Sequence, residues 1–119
     1  MLLWSIQDEE NLSDTARQII LDMSSRKYVS MASLWEIAIK NRIGKLTIDA
    51  GITSIFNEIN NNGYGLLGID QECIEVYNTL PLIHRDPFDG MIVATAILEQ
   101  LTIVTVDDNI RQYNASWIW

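Results

Sequence analysis

Apolar residues along this chain gather into short runs separated by polar or glycine-rich breaks, and the spacing inside each run predicts an element. Met1-Leu2-Leu3-Trp4-Ser5-Ile6 is apolar and helix-compatible, with no capping residue or strand before it, and breaks into Gln7-Asp8-Glu9-Glu10-Asn11; it reads as the remainder of a longer element. Ser13 then caps a helix running to about residue 24, with Ala16, Ile19, Ile20 and Met23 as its buried stripe. Lys27-Tyr28-Val29-Ser30 predicts a short strand. Glu36 alone interrupts the uncharged run of residues 31–39, and this helix is expected from near Ser33 to Arg42-Ile43-Gly44, with glycine as its stop. A further helix covers about residues 50–61 and ends at Asn60-Asn61-Asn62-Gly63. Residues 64–69 predict a glycine-diluted strand, and Asp70 caps a helix that Pro81 closes near residue 80.

The most informative stretch is His84-Arg85-Asp86-Pro87-Phe88-Asp89-Gly90-Met91-Ile92-Val93-Ala94-Thr95-Ala96. Pro87 suits the first helical position, because its fixed φ and missing N–H cost nothing there; Asp86 is then the N-cap and Asp89 falls in the first turn. Asp89, Val93 and Ala96 share a face at i, i+4 and i+7. An ionised group at the head of a packed face is expensive unless something positive meets it. Leu101-Thr102-Ile103-Val104-Thr105-Val106 is the β-branched type of run buried in a parallel sheet, and residues 115–119 supply a last short strand. Strands separated by helices throughout predict an α/β fold with a mostly parallel sheet, in one domain spanning residues 1–119.

Composition narrows the function. The chain has 119 residues, 48% of them hydrophobic, enough for a single sizeable core. A net charge of −8 argues against a general DNA coat or a membrane-surface protein, since nonspecific phosphate binding needs clustered Lys and Arg, but it does not exclude an enzyme that concentrates acids to hold a cation. The one cysteine, Cys73, allows no internal disulfide, the start lacks the order of a signal peptide, and no apolar run approaches the roughly 20 residues of a membrane helix. A cytoplasmic location without a membrane is the expectation.

Three acids share a structural context: Glu36 in a helix after a strand, Asp89 at the head of a buried helix, and Asp107 at the carboxyl end of the most apolar strand, where open parallel sheets place ligand sites. A like-charged pair about 4 Å apart at an effective dielectric of about 20 costs roughly 4 kcal/mol. Protonation, an arginine or a divalent metal would each offset that, and an all-oxygen set suits Mg²⁺ or Mn²⁺ rather than zinc. Such a metal activates water and stabilises the charge that develops on an attacked phosphodiester. Each residue also has a structural reading. Ser33-Leu34-Trp35-Glu36 matches a capping box, Asp89 could serve the helix dipole, and Asp107 with Asp108 could start a turn or cap a short helix at Asn109-Ile110-Arg111. His84 reads as a loop hydrogen-bond donor, Arg85 as a solvated cation, and the tryptophans and methionines mostly as core. Lys40, Arg42 and Lys45 are either a solvated helix end or phosphate contacts.

Residues 29–40, then Gly44-Lys45-Leu46, then His84-Arg85-Asp86-Pro87-Phe88-Asp89 with Ile92-Val93-Ala94-Thr95-Ala96, then residues 101–107, resemble in that order the PIN-domain family, and within it the VapC-type toxin ribonucleases. The resemblance implies a three-layer α/β/α domain with a mostly parallel sheet, a Mg²⁺ or Mn²⁺ site that hydrolyses RNA, and a cognate antitoxin whose tail covers that site. It makes Glu36, Asp89 and Asp107 the catalytic metal ligands and Asp86 a neighbour of the site. Thr105 and Asp108 are candidates to support the ligands, and Lys40, Arg42, Lys45 and Arg85 candidates to bind RNA. The family's first strand ends in a Leu-Asp-Thr-type segment whose aspartate is a metal ligand. Here Leu2-Leu3-Trp4 matches the helix after it, so the N-terminal strand is expected to be missing, its aspartate to lie upstream of Met1, and activity to be greatly reduced. Two rivals remain: a degenerate toxin that binds antitoxin or RNA without cutting, and a phosphorylatable receiver domain, which needs a lysine after a late strand where none follows Lys45. Four tryptophans and abundant apolar residues lead us to expect a homodimer.

Overall fold

The computed structural model describes residues 2–4, 18, 26–83, 86–105 and 107–119. Its elements in chain order are β1 (Leu2–Trp4), β2 (Lys27–Ser30), α1 (Met31–Arg42), α2 (Ile52–Asn61), β3 (Gly65–Leu67), α3 (Gln71–Thr79), α4 (Pro87–Glu99), β4 (Thr102–Val104), α5 (Asp108–Arg111) and β5 (Trp117–Ile118). The strands form one sheet in the order β3-β2-β1-β4-β5, with every pairing parallel. This is the α/β architecture expected from strands separated by helices, since a parallel neighbour requires a crossover.

The start of the chain departs from expectation. Leu2, Leu3 and Trp4 form neither a helix nor the remainder of one. They are the central strand, with Leu3 opposite Tyr28 on one side and Ile103 on the other, so the sheet does not lack its N-terminal strand. The physical reason is partner satisfaction: β2 and β4 each present a row of backbone groups to the gap between them, and a helix there would leave both rows unpaired inside the protein. The expected helix over residues 13–24 lies outside the described residues except for Gln18, which is helical.

Alternation along the strands sends side chains to two faces. Leu3 and Ile103, both fully buried, meet Ile92, Val93 and Ala96 of α4 and Ile110 of α5, with Tyr28 and Leu67 packed against the same cluster. Val29 meets Leu34 of α1 and Ile59 of α2. Leu2 and Val104 form a third cluster with Ile118 and Trp119. Gly65 stands opposite Tyr28, and a Cβ there would lie 2.6 Å from the ring, so the glycine is what lets the tyrosine lie across its neighbour strand. α4 is apolar nearly all round and is covered by α3 as well as by the sheet, which explains a core helix with no solvated stripe.

Several boundaries follow the sequence signals closely. Asp70 caps α3 by accepting from the Cys73 N–H at 2.9 Å, and Pro87 opens α4 behind the Asp86 cap. The start of α1 is corrected: the cap is Ser30, whose hydroxyl accepts from the Ala32 N–H at 3.1 Å, so the helix begins at Met31 straight from β2. That removes the capping-box reading of Ser33 and Glu36, since Glu36 now lies beyond the first turn. The reading of the tryptophans as mostly core also needs correction, because Trp35 and Trp117 are exposed.

Candidate active site

The strand order doubles back at β1: the chain builds outward through β2 and β3, then crosses to the other side of β1 for β4 and β5. In open parallel sheets the crevice at such a reversal, beyond the carboxyl ends of the strands, is where ligands bind. Glu36, Asp89 and Asp107 are carried by α1, α4 and the β4–α5 turn, the segments around that crevice.

Asp89 is the centre of the arrangement. Asp86 accepts at Oδ1 from the Phe88 N–H at 2.9 Å and, at 3.4 Å, from the Asp89 N–H, which fixes the first turn of α4. Asp89 is then 1% exposed. Its pKa is raised to about 7, first by burial, then by the charges of Asp86, Asp107 and Glu36, and by a hydrogen bond between the Asp86 and Asp89 carboxyls. Asp86, Asp107 and Glu36 thus each act on Asp89. Glu36 is buried at mid-helix and its Oε2 lies 3.8 Å from Lys40 Nζ one turn on. Asp107 donates its N–H to Thr105 Oγ1 at 3.0 Å and accepts the Asn109 N–H at Oδ1 at 2.8 Å, so of the readings left open it caps the short helix α5. Thr105 is buried, while Asp108 is a solvated side chain 3.6 Å from Arg111. Arg42 and Lys45 are exposed beyond the middle of α1. His84 and Arg85 lie outside the described residues.

As donors these carboxylates suit a hard divalent cation, and their mutual repulsion is the electrostatic state a cation relieves. Among the described residues, however, no three His, Cys, Asp or Glu side chains stand together as a group that could hold a metal. β1 ends on Trp4 rather than on an acid.

Sequence reasoning passed over the residues that wall the site. A Cβ on Gly90 would fall 2.6 Å from Tyr77 Cε2, so the glycine next to Asp89 admits that ring onto α4. Tyr113 is buried, and its hydroxyl pKa is pushed up by burial and by Tyr77, Asp89 and Asp86. Trp35 and Phe88, the neighbours of Glu36 and Asp89, meet edge to face with centroids 5.4 Å apart. A glycine inside an otherwise apolar helix was the one local signal for any of these contacts. Cys73 is buried against Thr95 Oγ1 at 3.1 Å, and burial raises its thiol pKa, which marks it as an unreactive core residue.

The sequence matches the PIN-domain family over residues 1–115. The chain belongs to the PIN-domain family. Solved structures with the same fold include VapBC2 from Rickettsia felis bound to a DNA fragment from their promoter, with a TM-score of 0.71 and 16% identity over 100% of this chain and 99% of that one. FitAcB from Neisseria gonorrhoeae follows at TM-score 0.67 and 16% identity, over 100% of this chain and 97% of that one. No curated protein matches the sequence. PIN domains are generally nucleases that use divalent metal ions.

Proposed function

We propose that this PIN domain is a metal-dependent endoribonuclease of the toxin type, which hydrolyses RNA phosphodiester bonds and is silenced by a cognate antitoxin. The observation that carries the reading is the buried Asp89 carboxyl, held near pKa 7 by burial and by Asp86, Asp107 and Glu36. Glu36, Asp89 and Asp107 are the residues that would hold Mg²⁺ or Mn²⁺. When bound, that ion supplies an activated water and stabilisation of the charge developing on the phosphodiester.

The chain's own residues do the rest. Asp86 anchors the first turn of α4, and its charge is one of those that raise Asp89. Thr105 holds the Asp107 backbone. Lys40, Arg42, Lys45 and Arg85 give an acidic protein local positive charge for the RNA backbone. An apolar groove of about 440 Å³, lined by residues that include Met31, Trp35, Ile52 and Phe56, suits an apolar antitoxin segment. Exposed Trp117 and Ile97 favour a homodimer, and the single buried cysteine favours the cytoplasm. No helix among the described residues is long and apolar enough to cross a membrane.

A second reading, a degenerate PIN protein that binds antitoxin or RNA without cutting, is favoured by Trp4 standing where β1 ends. Calorimetric titration with Mn²⁺ separates the two. The nuclease reading expects saturable binding that Asp89→Asn abolishes; heat no greater than dilution in the unsubstituted chain contradicts it.

A further inference from the structure

We propose that Arg111 is the positioning residue for Asp107, a role that rests on reading Asp107 as a ligand-bearing acid. Asp107 stands three residues beyond the last residue of β4, at the head of a helix only one turn long. Such a segment has little intrinsic stability, and its orientation must come from tertiary contacts. Three hydrogen bonds fix it locally: the Asp107 N–H to Thr105 Oγ1, the Asn109 N–H to Asp107 Oδ1, and the Arg111 N–H to the Asp107 carbonyl at 3.1 Å. All three lie within the turn and hold its shape, while Ile110 anchors α5 in the core with Leu3 and Ile103.

The Arg111 side chain adds the polar tie at the Asp107 end of the turn. Its Nη2 donates to the Thr105 carbonyl at 3.4 Å, and its guanidinium carbon lies 4.2 Å from the centroid of the Trp117 ring on β5. Thr105 is itself bound to β5 through its N–H and the Ile118 carbonyl at 3.0 Å. The guanidinium thus closes a loop from the end of β4 through Asp107 and α5 back to the edge strand β5. The Arg111 side chain is 26% exposed, so the guanidinium is partly withdrawn from water where it meets the ring. The ion pair with Asp108 adds little, because that carboxylate is 90% exposed. Lysine cannot reproduce the arrangement: a planar fork can lie on a ring and donate in its own plane together, whereas an ammonium is a single centre.

The test compares Arg111→Ala and Arg111→Lys with the unsubstituted chain, by Mn²⁺ calorimetry and by kcat and KM for RNA cleavage, with circular dichroism as the check on folding. Positioning predicts that folded Arg111→Ala binds Mn²⁺ at least about tenfold more weakly, the usual effect of losing a residue that orients a ligand. It predicts an equal fall in kcat with KM within about threefold, the pattern of an interaction realised at the reacting centre. Arg111→Lys should restore part of both, and it carries the test if Arg111→Ala does not fold. Unchanged Mn²⁺ affinity and kcat in the folded variant overturn the positioning role alone. An unsubstituted chain that neither binds Mn²⁺ nor cleaves RNA overturns the role together with the reading of the site.

Discussion

Asp89 sits at the head of α4 with 1% of its surface exposed, in a first turn that the Asp86 cap fixes. Its pKa in the folded chain is raised from the ordinary 3.8 of an aspartate to about 7. A raised acid binds more protons folded than unfolded between those two values, so its contribution to stability is fully present below about pH 4, declines as pH rises through 7, and is flat above. Without divalent metal, the thermal midpoint of the unsubstituted chain should therefore fall relative to that of Asp89→Asn between pH 4 and 8; midpoints that stay parallel across that range would show that Asp89 is not strained. The cap and the first-turn acid were legible in the sequence, because Asp-Pro-x-Asp is local chemistry. That Asp107 and Glu36 act on Asp89 was legible only as matching contexts, since their approach is made by the sheet.

Local signals misled wherever two of them competed. Ser30 and Ser33 each offer a hydroxyl for the start of α1, and the strand runs into the helix with no connecting loop, so sequence alone set the start too late. β1 is harder still: three apolar residues are too few to show period two or 3.6, and what makes them a strand is the pair of unpaired edges on either side. The central position makes a demand that can be measured. Leu3 is fully buried between Tyr28 and Ile103, so Leu3→Ala should cost about 2–5 kcal/mol in urea unfolding, whereas Leu82→Ala, at a fully exposed position, should stay within about 0.5 kcal/mol. Equal effects at the two positions would remove Leu3 from the core and β1 from the centre of the sheet.

Over the whole molecule, the strand order reverses at β1, Asp107 and Glu36 both raise the pKa of the buried Asp89, Lys40, Arg42 and Lys45 sit along and beyond α1, and Trp35 stands exposed beside an apolar groove. Membership of the PIN family makes a nuclease the general expectation. The most direct test is single-turnover cleavage of a single-stranded RNA by the full chain with Mg²⁺ or Mn²⁺, beside Asp89→Asn. Metal-dependent cleavage that falls by at least about a hundredfold, the scale of losing a group that acts at the reacting centre, is the expected result. Equal cleavage by both chains, or none by the unsubstituted chain while it still binds the RNA, would contradict it.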